Sequence, residues 1–514
     1  MSSRHRTMTA AFDWSVALLP TTSALDLWRL SVFPAKFTLD AAATVLEAAS
    51  ANTLDRLAVL WDASLLLADT SGASARFRLL EPTRQYALAH LAGGPIEDEV
   101  RRLHATYVLD KAEWIGARLL GTPGQAAALE AFAELLPDLR QAVAWTQHTV
   151  PGWGARIVGH TGWAWEITSR LREGEALMRS TLDVATGAQD RARLLLRLMS
   201  LVNRRSHAQA ASISPEAISA ATSAGDRREL GLALSYQTNF LPSDAAAQQL
   251  DNVAIIAAET GDELVRCWER FFRGWLCENA GDTRAARACL EESASISSSL
   301  GDRWLTTQVT ADLIQMCLEL DDNEAARQHL LSIVPALIDH SDWVAAPSLL
   351  ISTARLAARV GRPSDAFRLI AAQRRLRDEI GLRQSDTTEI ELAARAHLHD
   401  GLQESRYLAE GERLTLGEVL AVARGVLENS AAPPEGPKRR REILTRRERQ
   451  VAQLVEEGLT NREIATRLVI AERTAEGHVE QIRNKLGFHT RAQVAAWVAR
   501  QRLSGSAKAG TRDP

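Results

Sequence analysis

The sequence predicts a mainly α-helical protein in several units. An N-terminal unit carries one β-hairpin, an α-solenoid fills the middle, and a compact four-helix unit closes the chain. Three observations predict this. Ala, Leu and Arg dominate the 514 residues with little β-branched enrichment, which favours helix. Turn signals recur every 20 residues through the middle of the chain. Near the end, "LTNREIATRLVIAERTAEGHVEQIRNKLG", Leu459 to Gly487, sets two amphipathic helical patterns around a tight turn.

The length supports more than one domain, at roughly 150 residues each. An apolar share of 46% with 24% charged residues is that of a globular protein, not a disordered one. The four Cys (Cys267, Cys277, Cys289 and Cys317) form no C-x-x-C pair and sit in helical patterns, so buried reduced thiols of a cytoplasmic protein are expected. No signal peptide is evident, and no apolar run reaches the ~18 residues a membrane span needs. Charge is uneven. The segment from Lys438 to Pro514 has 17 Lys and Arg against 9 Asp and Glu, a balance of +8, leaving −12 for the remainder. A basic end piece on an acidic body suits a nucleic-acid-binding module.

Met1–Gln147 mixes helices with one hairpin. "LLLADTSGASARFRLLEPTRQYA" predicts a strand over Leu65–Asp69, a turn through Gly72, a second strand over Arg76–Leu80 and a helix after Pro82. That pattern suggests a winged-helix-like unit over 1–95, followed by a helical arm over 96–150. From 151 to 428 the chain reads as an α-solenoid. Its turns fall at Gly225-Asp226, Gly261-Asp262, Gly281-Asp282, Gly301-Asp302, Asp321-Asp322, Ser341-Asp342 and Gly361-Arg362. Two helices per 40 residues, with small residues at Ala285-Ala286, Ala325-Ala326 and Ala366, resemble tetratricopeptide repeats of longer period. "ENSAAPPEGPKRRREILT" then breaks the helical pattern at Pro433, Pro434 and Pro437, giving a linker over 429–443. Its basic run Lys438–Arg441 serves either as a solubilising linker or as an arm that attracts phosphates. A C-terminal domain over 444–503 and a small polar tail over 504–514 complete the chain.

Three helix starts in that last domain use one device. Thr445 with Glu448, Thr460 with Glu463, and Thr490 with Gln493 are capping boxes, in which a hydroxyl and a carboxylate or amide satisfy each other's amides. A further helix starts near Ala471 and Glu472. The four helices are expected at about 446–457, 461–468, 472–486 and 491–501. Ala475, Val479, Ile482 and Leu486 give the third an apolar stripe, to pack on Val451, Leu454, Val455, Ile464 and Leu468. The opposite face carries Arg473, Gly477, Glu480, Gln481 and Asn484, flanked by Glu476, His478 and Lys485. Its mixed donors and acceptors suit base edges in a DNA major groove, the geometry of a helix-turn-helix. Thr460 and Asn461 start the second helix, where amides can meet a phosphate.

These residues resemble the LuxR-type helix-turn-helix domain of bacterial transcription regulators. The resemblance rests on Leu444-Thr445-x-Arg447-Glu448-x-x-Val451, on Gly458-Leu459-Thr460-Asn461-x-Glu463-Ile464-Ala465-x-x-Leu468, and on Thr474, His478-Val479, Ile482, Lys485-Leu486-Gly487 and Arg491. It implies a DNA-reading third helix and a fourth helix that helps dimerisation. It implies backbone contacts from Thr460, Asn461, Arg473, Thr474 and Lys485, and base contacts from Glu476, Gly477 and Glu480. Two positions depart from the family pattern. Ala471 replaces the usual Ser cap, so Ala471→Ser is expected to raise stability by about 1 kcal/mol. Glu476 replaces a common Lys, and repels phosphates unless it accepts from a cytosine amine.

The N-terminal segments "RHRTMTAAFDWSVALL", "RLSVFPAKFTLDAAATVL", "RFRLLEPTRQYAL" and "LLPDLRQAVAWT" resemble the region after the nucleotide-binding core in large LuxR-type regulators of actinobacteria, where an NB-ARC-like ATPase comes first. No P-loop is present: none of the five Lys follows Gly or precedes Ser or Thr. Natural truncation, or a reading frame that begins upstream of Met1, is the expectation. No other catalytic set stands out. His5, His90 and His104 read as solvated or packed, and Trp153, Trp163 and Trp165 as solenoid core or groove. The sequence therefore implies a transcription regulator and not an enzyme, with no cofactor and no metal. Double-stranded DNA, bound as a homodimer, is the partner the resemblance implies. RNA polymerase and an effector of the repeats, protein or small molecule, are further candidate partners. The alternative is an interaction scaffold with a degenerate helix-turn-helix.

Overall fold

The computed structural model describes residues 3–428 and 444–498 apart from 73–74, 151, 341–345, 381, 383–384, 399–400, 445, 469, 471, 487–490, 492–493 and 496–497. It divides into two compact units, residues 1–202 with 219–226, and residues 203–218 with 227–514. Among the described residues no helix is long and apolar enough to cross a membrane.

The first unit opens with α1 (Ser3–Ala17), α2 (Thr21–Leu30), β1 (Phe37–Thr38), α3 (Leu39–Leu46), α4 (Ser50–Asp62), β2 (Leu66–Asp69), β3 (Arg76–Leu79) and α5 (Glu81–Leu91). The expected hairpin is there, with Leu66 opposite Leu79 and Asp69 opposite Arg76. A third strand, β1, joins its far side through Phe37–Phe77 and Thr38–Arg76, giving the order β1-β3-β2. At two residues it is too short to leave an alternating pattern in the sequence. Leu27, Leu30, Phe33, Phe37, Val45, Leu57, Leu60, Leu66 and Phe77 form the core between the helices and the sheet. Thr38 caps α3 by accepting the Ala41 amide at 3.1 Å, and proline enters α5 in its first turn, where no amide is needed.

Long antiparallel helices come next: α6 (Glu97–Leu119), α7 (Gln125–Thr149), α8 (Trp153–Ile167), α9 (Leu171–Leu182) and α10 (Ala188–Asn203), then α11 (His207–Ala224). His104 is packed, not solvated. It lies buried 2.8 Å from Asp138, joining α6 to α7. His90 is exposed at the surface and stacks on Trp28 at 4.5 Å. Trp163 and Trp165 are buried core, and Trp153 is half-buried.

In the second unit come α12 (Arg227–Gln237), α13 (Ser243–Thr260), α14 (Glu263–Asn279), α15 (Thr283–Ser299), α16 (Arg303–Glu319), α17 (Asn323–His340), α18 (Ala346–Arg359) and α19 (Pro363–Ile380). The 20-residue turns are built from two adjacent residues. Gly261, Gly281 and Gly301 take φ of +65°, +83° and +71°, which ends one helix without a Cβ clash. The Asp that comes after each caps the next helix: Asp262 accepts from Leu264 and Val265, Asp282 from Ala285 and Asp302 from Leu305. At the fourth turn Asp321 adopts φ +59° although it is not glycine, and Asp322 still caps, at 3.1 Å from the Ala325 amide. The turn expected at Ser341-Asp342 lies outside the described residues. Close packing results from small residues. Ala286, Ala326 and Ala366 are fully buried, and a Cβ on Gly274 would meet Leu290 at 2.9 Å. Cys267 and Cys317 are buried as expected. Cys277 and Cys289 differ, being half-buried near the rim of the α14–α15 hairpin.

Past Gly361 the regular period ends. Shorter helices α20 (Thr388–Arg395), α21 (Gly401–Arg413) and α22 (Leu416–Glu428) pack with α18 and α19 around Phe367, Ile370, Ile390 and Val426. Three further helices, α23 (Arg446–Glu456), α24 (Asn461–Leu468) and α25 (Glu472–Leu486), belong to the C-terminal module.

Candidate nucleic-acid interface

Local chemistry sets each turn of the module. α23 ends at Gly458, whose φ of +86° suits only glycine well. The amides of Gly458 and Leu459 close back on Val455 and Leu454. The box at Thr460 is complete. The Thr460 amide and hydroxyl both donate to the Glu463 carboxylate, at 2.7 and 2.8 Å. The Glu463 amide donates to the Thr460 hydroxyl at 3.3 Å. The Thr460 amide holds the Glu463 carboxyl below the usual carboxylate range, and its hydroxyl adds to the effect. The boxes at Thr445 and Thr490 lie outside the described residues, as does Ala471.

Packing then orients α25. Ala475, Val479 and Ile482 are buried with Val451, Leu454, Val455 and Ile464, with Leu468 at the edge. Residues Val494 and Val498 of the expected fourth helix, of which the structure describes a few positions, join the same core. Two arginines act as struts that sequence reasoning did not assign. Arg447 on α23 donates to the Leu468 carbonyl at the end of α24, at 3.0 Å. Arg491 donates to the Leu459 carbonyl and, at 2.7 Å, to Asn461 Oδ1. Each pairing is non-local and leaves no signal in spacing.

The fixed core leaves an outward face. Arg473, Glu476, Glu480 and Gln481 are exposed, and none has a hydrogen bond or ion pair among the described residues. Gly477 lies between them, and a Cβ there would meet nothing within 4 Å. The protein itself thus gives no packing reason for this glycine. Thr460 is exposed but its hydroxyl is engaged in the cap, and Asn461 is half-buried and held by Arg491. Thr474 is half-buried on one flank of α25. His478, placed by the sequence beside the polar face, is buried instead, at 5% exposure. It stands one turn from Thr474 and next to Val479, so the edge of the apolar stripe takes it in. Asn484 and Lys485 belong to α25, but their side chains lie outside the described residues.

The charge on α25 is balanced. Glu472, Glu476 and Glu480 offset Arg473, Arg483 and Lys485. Any attraction to a polyanion must therefore draw on its neighbours, among them Arg462 and Arg467 of α24, both exposed. The surface can present acceptors and a few donors to a groove, and no cluster of metal-ligating residues occurs among the described residues.

Comparison with known proteins agrees with this geometry. Residues 442–498 match the family of bacterial regulatory proteins, luxR family, and residues 20–92 match a winged helix-turn-helix domain. Rv0890c of Mycobacterium tuberculosis, named as an HTH-type transcriptional regulator, is 29% identical over 373 residues, 65% of this chain and 41% of that protein. The chain thus spans well under half the length of this relative. NarL of Escherichia coli, a nitrate/nitrite response regulator protein, is 40% identical over 60 residues, 12% of this chain and 28% of NarL. The crystal structure of a signal transduction ATPase with numerous domains and a tetratricopeptide repeat sensor, from Pyrococcus horikoshii, aligns with 82% of this chain and 66% of that one, at 13% identity and a TM-score of 0.43. With its glycine-closed turn, capping box and anchored third helix in place, the C-terminal module of this chain is a helix-turn-helix domain of the luxR family of bacterial regulatory proteins.

Proposed function

We propose that the chain is a DNA-binding transcriptional regulator that reads the major groove with α25. One observation carries the reading: α25 is anchored by Ala475, Val479 and Ile482 and leaves Arg473, Glu476, Glu480 and Gln481 unpartnered in solvent. Glu476, Gly477 and Glu480 face base edges, with Gln481 and Asn484 beside them. Arg473, Thr474, Lys485 and the start of α24 at Thr460 and Asn461 meet phosphates. The protein acts as a homodimer on DNA in the cytoplasm and works through RNA polymerase, and its helical repeats take an effector. No catalytic step is assigned to it. The names of its relatives support this reading.

Binding of the full chain to random-sequence duplex DNA across a salt series tests it. Affinity should fall linearly on a log–log plot against salt. Absence of salt-sensitive binding to any duplex would sink the proposal. It would favour the second reading, an interaction scaffold, which the two exposed acids Glu476 and Glu480 recommend.

A further inference from the structure

Within the second unit, a cavity of about 680 Å³ opens between the repeats and the C-terminal module. That volume is in the range of small-molecule sites. The repeats supply an aromatic wall. Phe240 packs edge-on to His207, with ring centres 4.8 Å apart. The Trp275 indole is fixed in place because its Nε1 donates to Asp312 at 2.7 Å. Beside these rings lies Asn239. Its side-chain amide nitrogen is shut off from solvent and has no hydrogen-bond partner. A buried donor left unpaired costs about 1–3 kcal/mol, which an acceptor in the cavity would recover once the Asn239 side chain, already part of its lining, turns toward it. The opposite wall belongs to the module, with Arg462 of α24 and Thr474 of α25 bordering the cavity. A second tie lies outside it, where Gln450 of α23 donates to Asp386 at 3.4 Å.

We propose that this cavity binds a planar small molecule bearing an acceptor oxygen, and that its occupant holds the module against the repeats and excludes DNA. The rings take the planar body, and the Asn239 amide takes the acceptor. Exclusion rests on the DNA-binding reading above. Thr474 belongs to the phosphate-facing flank of α25 there, and that flank cannot face a duplex and the cavity at once. Ligand and DNA affinities are then coupled, each weakening the other by the same factor.

The test uses the full chain and the fluorescent aromatic sulfonate 8-anilinonaphthalene-1-sulfonate. Two variants probe the cavity from the repeat side. Ala211→Trp fills it, and Asn239→Leu removes the donor; each is first checked for an unchanged circular dichroism melt. Both should weaken probe binding at least tenfold, and duplex DNA should displace the probe from the unaltered chain. Equal probe binding by the unaltered chain and the folded variants would overturn the site. Probe retained at saturating duplex would overturn the exclusion. A chain that binds no duplex at all overturns the functional proposal and the exclusion with it, whereas the two variants still decide whether the site exists.

Discussion

The chain contains two helix-turn-helix units, and they turn different chemistry outward. In the C-terminal unit the second helix of the motif, α25, exposes Arg473, Glu476, Glu480 and Gln481. In the N-terminal unit the corresponding helix, α4, exposes Leu54, Val59 and Trp61, the last at 57%. Its one basic residue, Arg56, is tied to Asp26 and to the Leu46 carbonyl. Both units bury a continuous apolar core and cap a helix with threonine. What separates them is the outer face, which nothing in the fold dictates. A motif supplies a rigid platform, and the side chains at a few positions decide whether it suits a polyanion or an apolar surface.

The largest effect should come from the two cores. Ile482→Ala should cost about 2–5 kcal/mol and abolish duplex binding together with the folded module. Leu57→Ala should cost a similar amount in the N-terminal unit and leave duplex affinity intact. Melting curves paired with gel shifts check both, and loss of DNA binding in the Leu57 variant at a temperature where α25 stays folded would break the contrast.

Charge reversal should come next. Glu476→Lys replaces repulsion with attraction, so duplex affinity should rise several-fold at low salt and the salt slope should steepen by about 1. The same swap on α4, Asp55→Lys, should change neither quantity. Equal gains from the two would mean that net charge, and not the face of α25, governs binding.

The two threonine caps offer a finer comparison. Thr460→Ala and Thr38→Ala should each destabilise by about 1 kcal/mol. Only the first should also weaken duplex binding, as read by fluorescence anisotropy. The smallest effect is a pH dependence. Glu463 has a folded pKa below its unfolded value, near 4.3. Its stabilising contribution is complete above the unfolded value and is lost as pH falls through the depressed one. Acid titration of Glu463→Gln should lack that step. A variant that titrates like the unaltered chain would assign the step to another carboxyl.

Much of the fold was legible because its signals are local. The hairpin at 66–79, the Gly-Asp turns and the apolar stripe of α25 each occupy a few neighbouring residues, and each appears where its chemistry places it. What escaped the sequence is non-local or too short. β1 is two residues whose partners lie about 40 positions on. Arg447 and Arg491 reach carbonyls 21 and 32 residues away. His478 reads as polar in the helical wheel, yet its neighbours bury it. Asp321 could not be foreseen in a left-handed conformation, since Gly225, Gly261, Gly281, Gly301 and Gly361 take that place in the other described turns. For the candidate interface, Ala475, Val479 and Ile482 on the anchored side of α25 were legible, whereas the side chain of Leu486 lies outside the described residues. The cavity beside it was not, because it is made by residues more than 180 positions apart.

The Gly-Asp turn carries one further consequence. Each reversal of direction is written in two adjacent residues and needs no distant contact to form. Assembly can therefore start at any bend and spread to its neighbours, as in other quasi-one-dimensional arrays. Gain or loss of a 40-residue block alters the reach of the array without rewriting its rules.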